Sequence, residues 1–227
     1  MNLRRLYLIG IGAIVVQLLF TAWGFAQVGF DAQVPTHWGA DGQVNGYGAA
    51  WWGFTLVPAI SAGLLLMFGA IPRIEPRREN LRLSASAYRQ IGVATVALMT
   101  LLQAGLILAG TGREVPMTLL IGIGIGGLFM VLGNVLGTVR SNYMVGVRTP
   151  WTLTSELAWE KTHRLVGRLF FLCGLGMIVV SLIADPVWLL AWITGTVVAI
   201  LVAAFGYSYR VWKSDPDKRS IGGGDAP

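Results

Sequence analysis

Long apolar runs alternate with short polar segments along the whole chain. A helix needs about 20 apolar residues to cross the hydrocarbon core of a membrane. The runs that are long enough cover residues 6–26, 51–71, 90–109, 117–137, 165–184 and 187–207. Only Asp185 and Pro186 separate the last two runs, and we expect a tight turn there because proline cannot continue a helical hydrogen-bond ladder. The pattern predicts an all-α, polytopic transmembrane helix bundle of six spans.

Basic residues are unevenly distributed between these runs. If all six runs cross the membrane, sixteen of the seventeen Lys and Arg residues fall on one side, and only Arg113 falls on the other. Short loops rich in Lys and Arg stay on the cytoplasmic side of a membrane. The distribution therefore predicts that both termini lie in the cytoplasm, an N-in, C-in topology.

The composition agrees with a membrane protein, since 55% of the 227 residues are hydrophobic and only 12% are charged. The formal net charge of +6 is spread between apolar runs, so we expect no direct binding of nucleic acid. The single cysteine, Cys173, excludes an intramolecular disulfide. The first run, after Arg4 and Arg5, exceeds the roughly 7–15 residues of a signal-peptide core and is interpreted as a retained anchor.

Residues 27–50 form a long loop on the side opposite the basic residues, and the loop contains no Lys or Arg. Apolar surface that could pack this loop onto the bundle or into the membrane interface comes from Val34, Trp38, Val44 and Tyr47. We therefore expect an ordered cap. His37 and Asp41 could ligate a metal, but zinc sites need three or four protein ligands, so hydrogen bonding within the loop is the favoured interpretation and metal binding stays open.

A second patterned segment, residues 138–168, lies on the basic side. Pro150 favours extended geometry at Thr149, and Ser155 is one of several hydroxyl residues before Glu156 that could cap a helix. We expect an amphipathic helix from Glu156 along the inner interface, leading into the fifth span. Trp159 and His163 share a face of that helix. They form either a recognition patch with Arg148 and Asn142 or an elbow that re-enters the membrane.

Small and polar residues within the spans predict how the helices pack. Gly122 and Gly126, and also Gly133 and Gly137, have the four-residue spacing that lets helix backbones approach closely. We favour packing inside one bundle over dimerisation, and the oligomeric state stays open. Gln17, Gln103 and Asn134 could hydrogen-bond between helices, but the absence of charge inside the spans gives proton-coupled transport no support.

Two stretches resemble the SdpI immunity-protein family of bacteria: PTHWGADGQVNGYG in the first loop and GNVLGTVRSNYMVGVRTPWTLTSELAWEKTHRLVGRLF on the basic side. The resemblance implies a multi-pass protein of the bacterial plasma membrane that protects its producer from a secreted, membrane-active peptide toxin. It also implies that the protein could hold a cytoplasmic transcriptional repressor at the membrane. It implies no enzyme and no cofactor, and membrane lipids are the remaining expected partner.

Two sets of candidate binding residues follow from this hypothesis. The outer-loop set is Pro35, His37, Trp38, Asp41, Gly42, Asn45 and Tyr47. The cytoplasmic set is Asn142, Gly146, Arg148, Thr149, Pro150, Trp151, Glu156, Trp159, Glu160, His163 and Arg164. No catalytic residue is assigned, because the two histidines fall on opposite sides of the membrane and no nucleophile or metal framework accompanies either.

Two other functions stay open: a small-molecule or peptide transporter or exporter, and a housekeeping envelope protein of the same architecture. The predicted organisation is a two-helix module over residues 1–89, containing the loop 27–50, followed by a four-helix module over residues 90–209, containing the segment 138–168. Residues 210–227 are polar and glycine-rich, which predicts a disordered tail.

Overall fold

A computed structural model describes residues 1–219 of the chain. Its elements, in chain order, are α1 (Arg4–Val28), β1 (Gln33–Trp38), β2 (Val44–Ala49), α2 (Ala50–Ile74), α3 (Arg78–Leu83), α4 (Ala85–Gly110), α5 (Met117–Leu136), α6 (Pro150–Thr154), α7 (Glu156–Ile183) and α8 (Pro186–Ser214). Six of these helices, α1, α2, α4, α5, α7 and α8, are long and apolar enough to cross a membrane. The predicted helical bundle of six spans is therefore confirmed.

The loop between α1 and α2 is a β-hairpin, which the all-helical pattern did not predict. Strands β1 and β2 pair antiparallel, from Gln33 opposite Ala49 to Trp38 opposite Val44, with irregular register on both sides of His37. At the turn, the Gly39 amide donates to the Gln43 carbonyl at 2.8 Å. Gly42 has φ +78°, a conformation that glycine adopts without a steric cost. The predicted ordered cap is this hairpin.

Helix α7 is a single helix of 28 residues, so the predicted elbow before the fifth span does not form. Ser155 begins it, because the hydroxyl oxygen of Ser155 accepts a hydrogen bond from the Ala158 amide. No proline or glycine interrupts the first three turns from Glu156, and the interfacial stretch therefore continues directly into the apolar run.

Two groups of helices form the bundle and meet along α4 and α5. Helices α1, α2 and α4 share a core that includes Leu6, Leu65, Phe68 and Tyr88. Helices α5, α7 and α8 form the second group, in which α5 and α7 pack most extensively. Because α4 contacts both groups, the division of the chain after residue 89 stays a prediction about sequence modules.

Glycines bring α5 and α7 into backbone contact. A Cβ added at Gly133 would lie 2.6 Å from the carbonyl oxygen of Gly167, and one added at Gly126 would lie 2.7 Å from that of Gly174. Such distances are too short for any side chain on either helix. The prediction that these glycines pack within one bundle is therefore confirmed for Gly126 and Gly133.

A proline in α2 explains two of the polar residues buried between α1, α2 and α4, Thr21 and Gln103. Pro58 has no amide hydrogen, so the carbonyl of Phe54 lacks its usual helical donor. The Thr21 hydroxyl donates to that carbonyl at 3.0 Å and the Gln103 amide donates at 2.9 Å. The side chain of Gln17 bonds Thr100 between α1 and α4. Gln17 and Gln103 thus join helices as predicted, whereas Asn134 is exposed.

We call the end of the bundle with the hairpin the hairpin end, and the opposite end the basic end. At the basic end, α8 continues to Ser214 and the chain then crosses the start of α7. There the Ser155 hydroxyl donates to Asp215 and the Arg219 amide donates to the Thr154 carbonyl. The prediction of a disordered tail from residue 210 is wrong for residues 210–219, because these backbone and side-chain groups are hydrogen-bonded. Residues 220–227 lie outside the described part.

Candidate functional site

The hairpin is fixed at its base to the first group of helices. Val34 is fully buried and packs in a cluster with Ala50, Phe54 and Ile107. The Ala50 amide also donates to the Ala32 carbonyl, which ties the hairpin to the start of α2. Burial of Val34 sets which face of β1 meets the bundle, because successive strand residues point to opposite faces.

The tip of the hairpin reaches across to the second group of helices. A Cβ at Gly42 would lie 3.0 Å from the Thr118 hydroxyl at the start of α5 and 3.2 Å from Pro186 at the start of α8. A cavity of about 220 Å³ lies between this tip and the bundle, and Asp41 and Ser181 are among its lining residues. The hairpin therefore bridges both groups at this end.

The polar side chains of the hairpin are held by hydrogen bonds within it. Nδ1 of His37 lies 2.5 Å from Oδ1 of Asn45, across the two strands. Oδ1 of Asp41 accepts from the Gln43 amide at 3.0 Å and stabilises the turn. These bonds match the interpretation of His37 and Asp41 as loop-holding residues. Within residues 1–219 there is no group of three His, Cys, Asp or Glu side chains that could hold a metal ion.

The exposed face of the hairpin carries His37, Asp41, Asn45 and Tyr47. Tyr47 is the large aromatic residue of this face, and 64% of its surface is exposed. Pro35 and Trp38 are half-buried, and they position this face rather than form its outermost surface. Large exposed aromatics border the hairpin at Phe30, Trp51 and Trp52.

At the basic end, the side chain of Asn142 stabilises the loop between α5 and α6 through hydrogen bonds to its backbone. Its side-chain amide donates to the carbonyls of Arg140 and Val145, and its Oδ1 accepts from the amides of Met144 and Val145. All of its hydrogen-bonding capacity is used inside the loop. Since Asn142 is fully buried, it shapes this segment and cannot contact a partner in this conformation.

Trp159 and His163 share a face of α7, as their spacing predicts, but both are buried. Their rings stack with centroids 4.0 Å apart. Nδ1 of His163 lies 2.8 Å from the Trp159 carbonyl, and Nε2 accepts from the Val147 amide at 2.9 Å. A carbonyl needs a donor and an amide needs an acceptor, so this geometry requires the neutral, Nδ1-protonated imidazole. The expected recognition patch is instead a packing centre.

Gly146 is required by this packing centre. It has φ +124°, and an added Cβ would lie 2.4 Å from Nε2 of His163 and 3.2 Å from the Trp159 ring. Glycine alone accommodates both the backbone conformation and the close approach of the ring.

Thr149 and Pro150 begin the short helix α6. Thr149 is extended, with φ −95° and ψ 161°, as a residue before proline should be. Its side chain and that of Thr152 form a reciprocal capping box. Trp151 then packs edge-on against Tyr209 of α8, with ring centroids 5.3 Å apart. These residues attach the segment to α8.

Glu75 and Arg77 join the segment to the end of α2, and sequence reasoning missed Glu75. The fully buried carboxylate of Glu75 accepts from the Tyr143 amide at 3.1 Å and from the Arg77 amide at 2.8 Å. The Arg77 guanidinium donates to Ser141 and to the Leu153 carbonyl. The arginine-rich stretch RIEPRREN contains two acids, Glu75 and Glu79, and nothing in the sequence distinguishes the buried one from the exposed one.

The remaining candidates at the basic end are exposed. Arg148 donates to the Tyr143 carbonyl at 2.7 Å while its side chain stays at the surface. Glu160 and Arg164 form the predicted i, i+4 ion pair at 3.4 Å. Glu156 lies 4.0 Å from Arg77 with 71% of its side chain exposed. The structure thus separates the cytoplasmic set into a buried scaffold and a charged surface.

Two regions of the chain are similar to known protein families. Residues 138–209 match the SdpI/YfhL protein family, and residues 12–62 match a domain of unknown function, DUF1648. The chain is 30% identical over 116 residues to a protein of Bacillus subtilis (strain 168) named Immunity protein SdpI. That alignment covers 51% of this chain and 56% of the relative, so the chain spans about half the length of the relative it matches. No solved structure matches.

The two matched regions contain the two sites described above. The match over residues 12–62 includes the hairpin, and the match over residues 138–209 includes most of the segment between α5 and α7. Six membrane-length helices together with these matches define a multi-pass bacterial membrane protein. Residues 138–209 are thus similar to the SdpI/YfhL protein family, and the relative named as an immunity protein carries the same similarity.

Proposed function

We propose that this protein protects its bacterium against a secreted, membrane-active peptide, and that the exposed face of the hairpin meets the peptide. The observation that carries the proposal is a hairpin fixed to both groups of helices that still exposes His37, Asn45 and Tyr47. Ordered loops on a rigid scaffold are favoured places for binding, because their shape is fixed before the ligand arrives. The similarity to a relative named as an immunity protein supports the same conclusion.

Charge and location at the hairpin suit a cationic amphipathic peptide. Residues 27–50 contain two Asp and no Lys or Arg, which gives a formal charge of −2 with histidine neutral. Exposed Phe30, Trp51 and Trp52 lie beside the hairpin, where aromatic rings favour the membrane interface. A peptide held at the interface would therefore meet both apolar and acidic surface, and complementary charge would speed the encounter.

The test is survival of a sensitive bacterium that expresses this protein under a secreted peptide toxin. Tyr47→Ala is a sharper variant than His37→Ala with Trp38→Ala, because Trp38 is half-buried and its loss could collapse the hairpin. Asn45→Ala is a second variant, and it also removes the hydrogen bond to His37. Trp188→Ala is the matched control, since Trp188 is 61% exposed on α8, outside the hairpin. We expect wild type and Trp188→Ala to protect and Tyr47→Ala to protect less at equal membrane levels. If Tyr47→Ala and Asn45→Ala both protect as well as wild type, the hairpin face has no part in the mechanism.

We further propose that the charged surface at the basic end, Arg148, Glu156, Glu160 and Arg164, faces the cytoplasm and holds a transcriptional repressor at the membrane. Support comes from the buried scaffold of Asn142, His163 and Glu75, which presents this surface in a fixed shape. Membrane fractionation of a tagged repressor, with and without the peptide, tests it. Arg148→Ala should release the repressor while leaving protein levels unchanged; no membrane-bound repressor with wild type would exclude this role.

A further inference from the structure

A groove at the basic end runs between α1 and α4 and is closed behind by α5. It has a volume of about 460 Å³, with Arg5 and Arg89 on its two sides. Gln90 lies beside Arg89, and Ile9, Val93 and Val131 line the deeper part. The groove is therefore basic and polar near the helix ends and apolar one to two turns further into the bundle.

Neither arginine of this groove is paired with a carboxylate in the part of the chain that the structure describes. Other arginines at the same end are paired: Arg82 lies 2.8 Å from Glu79, and Arg164 lies 3.4 Å from Glu160. Arginine presents a planar fork of donors that matches phosphate geometry. Two such groups, from different helices and on either side of one groove, provide a site for an anion that also carries an apolar chain.

We propose that this groove binds one anionic phospholipid, with the phosphate between Arg5 and Arg89 and an acyl chain along Ile9, Val93 and Val131. A phospholipid fits because it joins a negative head group to a hydrocarbon chain in the order in which the groove changes from basic to apolar. A second copy of the chain fits poorly, since a symmetric dimer across this groove would bring the same unpaired arginines together.

Native mass spectrometry of the protein, purified in a neutral detergent, tests the proposal. Phosphatidylglycerol and phosphatidylcholine are added in equal amounts and the retained lipid adducts are counted. Each basic residue near an anionic head group changes affinity by about fivefold. We expect wild type to prefer phosphatidylglycerol, and Arg5→Gln with Arg89→Gln to lose about thirtyfold of its affinity for it if the two effects add.

The matched control is Arg82→Gln, which removes one positive charge from the same end outside the groove. It should retain the lipid like wild type. Arg5→Lys with Arg89→Lys keeps both charges and should keep most of the preference, and thermal unfolding of each variant checks that it is folded. Equal retention of the two lipids by wild type, or an equal loss in Arg82→Gln and the double Gln variant, would overturn the proposal.

Discussion

Gly146 lies where the segment between α5 and α6 crosses the ring of His163. Its φ of +124° is rare for residues that carry a side chain, and the ring nitrogen already accepts from the neighbouring Val147 amide. One atom added here would disturb the backbone, the His163 ring and the Trp159 ring together. Several candidate residues of the basic end therefore depend on a single position that has no side chain.

Gly146→Ala should destabilise the protein by about 2–3 kcal/mol, because it adds backbone strain and displaces His163. Unfolding in detergent, followed by circular dichroism during heating or SDS titration, measures the change. Gly206→Ala is the control, since no atom lies within 4 Å of the Cβ it would add. A Gly146→Ala protein as stable as the Gly206→Ala protein would contradict the packing described for His163.

Helix α5 owes its position to glycines on the side that faces α7. The backbones approach so closely that Gly133 and Gly167 leave no room for a methyl group on either helix. Helices in lipid gain little from apolar burial against each other, so close van der Waals packing provides much of their attraction. The close packing of α5 against α7 thus depends on glycines at the contact positions.

Gly133→Ala should separate α5 from α7 and lower stability by about 1–3 kcal/mol, the usual cost of overpacking. Gly127→Ala changes the same helix where nothing lies within 4 Å, and it should be neutral or slightly stabilising because alanine favours helix. Thermal melts of both proteins at several concentrations distinguish the alternatives. If these glycines served dimerisation instead, the effect of Gly133→Ala would grow with protein concentration.

The sequence predicted those helices whose local pattern follows directly from one physical requirement. The six spans follow from hydrophobic length, which a membrane imposes on any helix that crosses it. The hairpin was missed because its strands, QVPTHW and VNGYGA, contain proline and glycine, which strands disfavour, and its pairing is fixed by the burial of Val34. The bond from Tyr143 to Glu75 joins residues 68 positions apart, and no local pattern encodes such a contact.

At the scale of the whole molecule, two features connect the groups of helices at opposite ends. The hairpin tip rests on Thr118 and Pro186 at one end, and the Glu75 carboxylate holds the Tyr143 amide at the other. In both contacts, a residue that precedes α4 in the chain meets a residue that follows α4. Helix α2 lies between these two contacts, because it begins directly after the hairpin and Glu75 is its C-cap residue.

Glu75→Ala should cost about 2–4 kcal/mol, because it leaves two amide donors buried without an acceptor. Glu75→Gln keeps one acceptor oxygen and should recover part of that loss. Glu79→Ala is the control, since Glu79 is exposed and its pair with Arg82 contributes little. Trypsin digestion provides a second measurement: faster cleavage after Arg140 or Arg148 in Glu75→Ala is expected, and unchanged cleavage with unchanged stability would show that the carboxylate does not hold the segment.

The orientation of the whole bundle rests on its charge distribution and is open to a direct test. In a Cys173→Ala background, Asn45→Cys places a thiol on the exposed hairpin and Arg148→Cys places one on the exposed surface of the basic end. A membrane-impermeant maleimide applied to right-side-out spheroplasts should label Asn45→Cys at once and Arg148→Cys only after permeabilisation. Leu18→Cys, 52% exposed within α1, should stay unlabelled in both conditions because it faces lipid.

The reverse labelling would have consequences beyond topology. It would place sixteen Lys and Arg residues outside the cell, against the charge bias that membrane insertion imposes. It would also place the acidic hairpin in the cytoplasm, where a secreted peptide does not meet it, so the immunity proposal would fail with the topology. The expected labelling pattern leaves Tyr47 accessible from outside, and loss of protection in Tyr47→Ala can then be assigned to contact with the peptide.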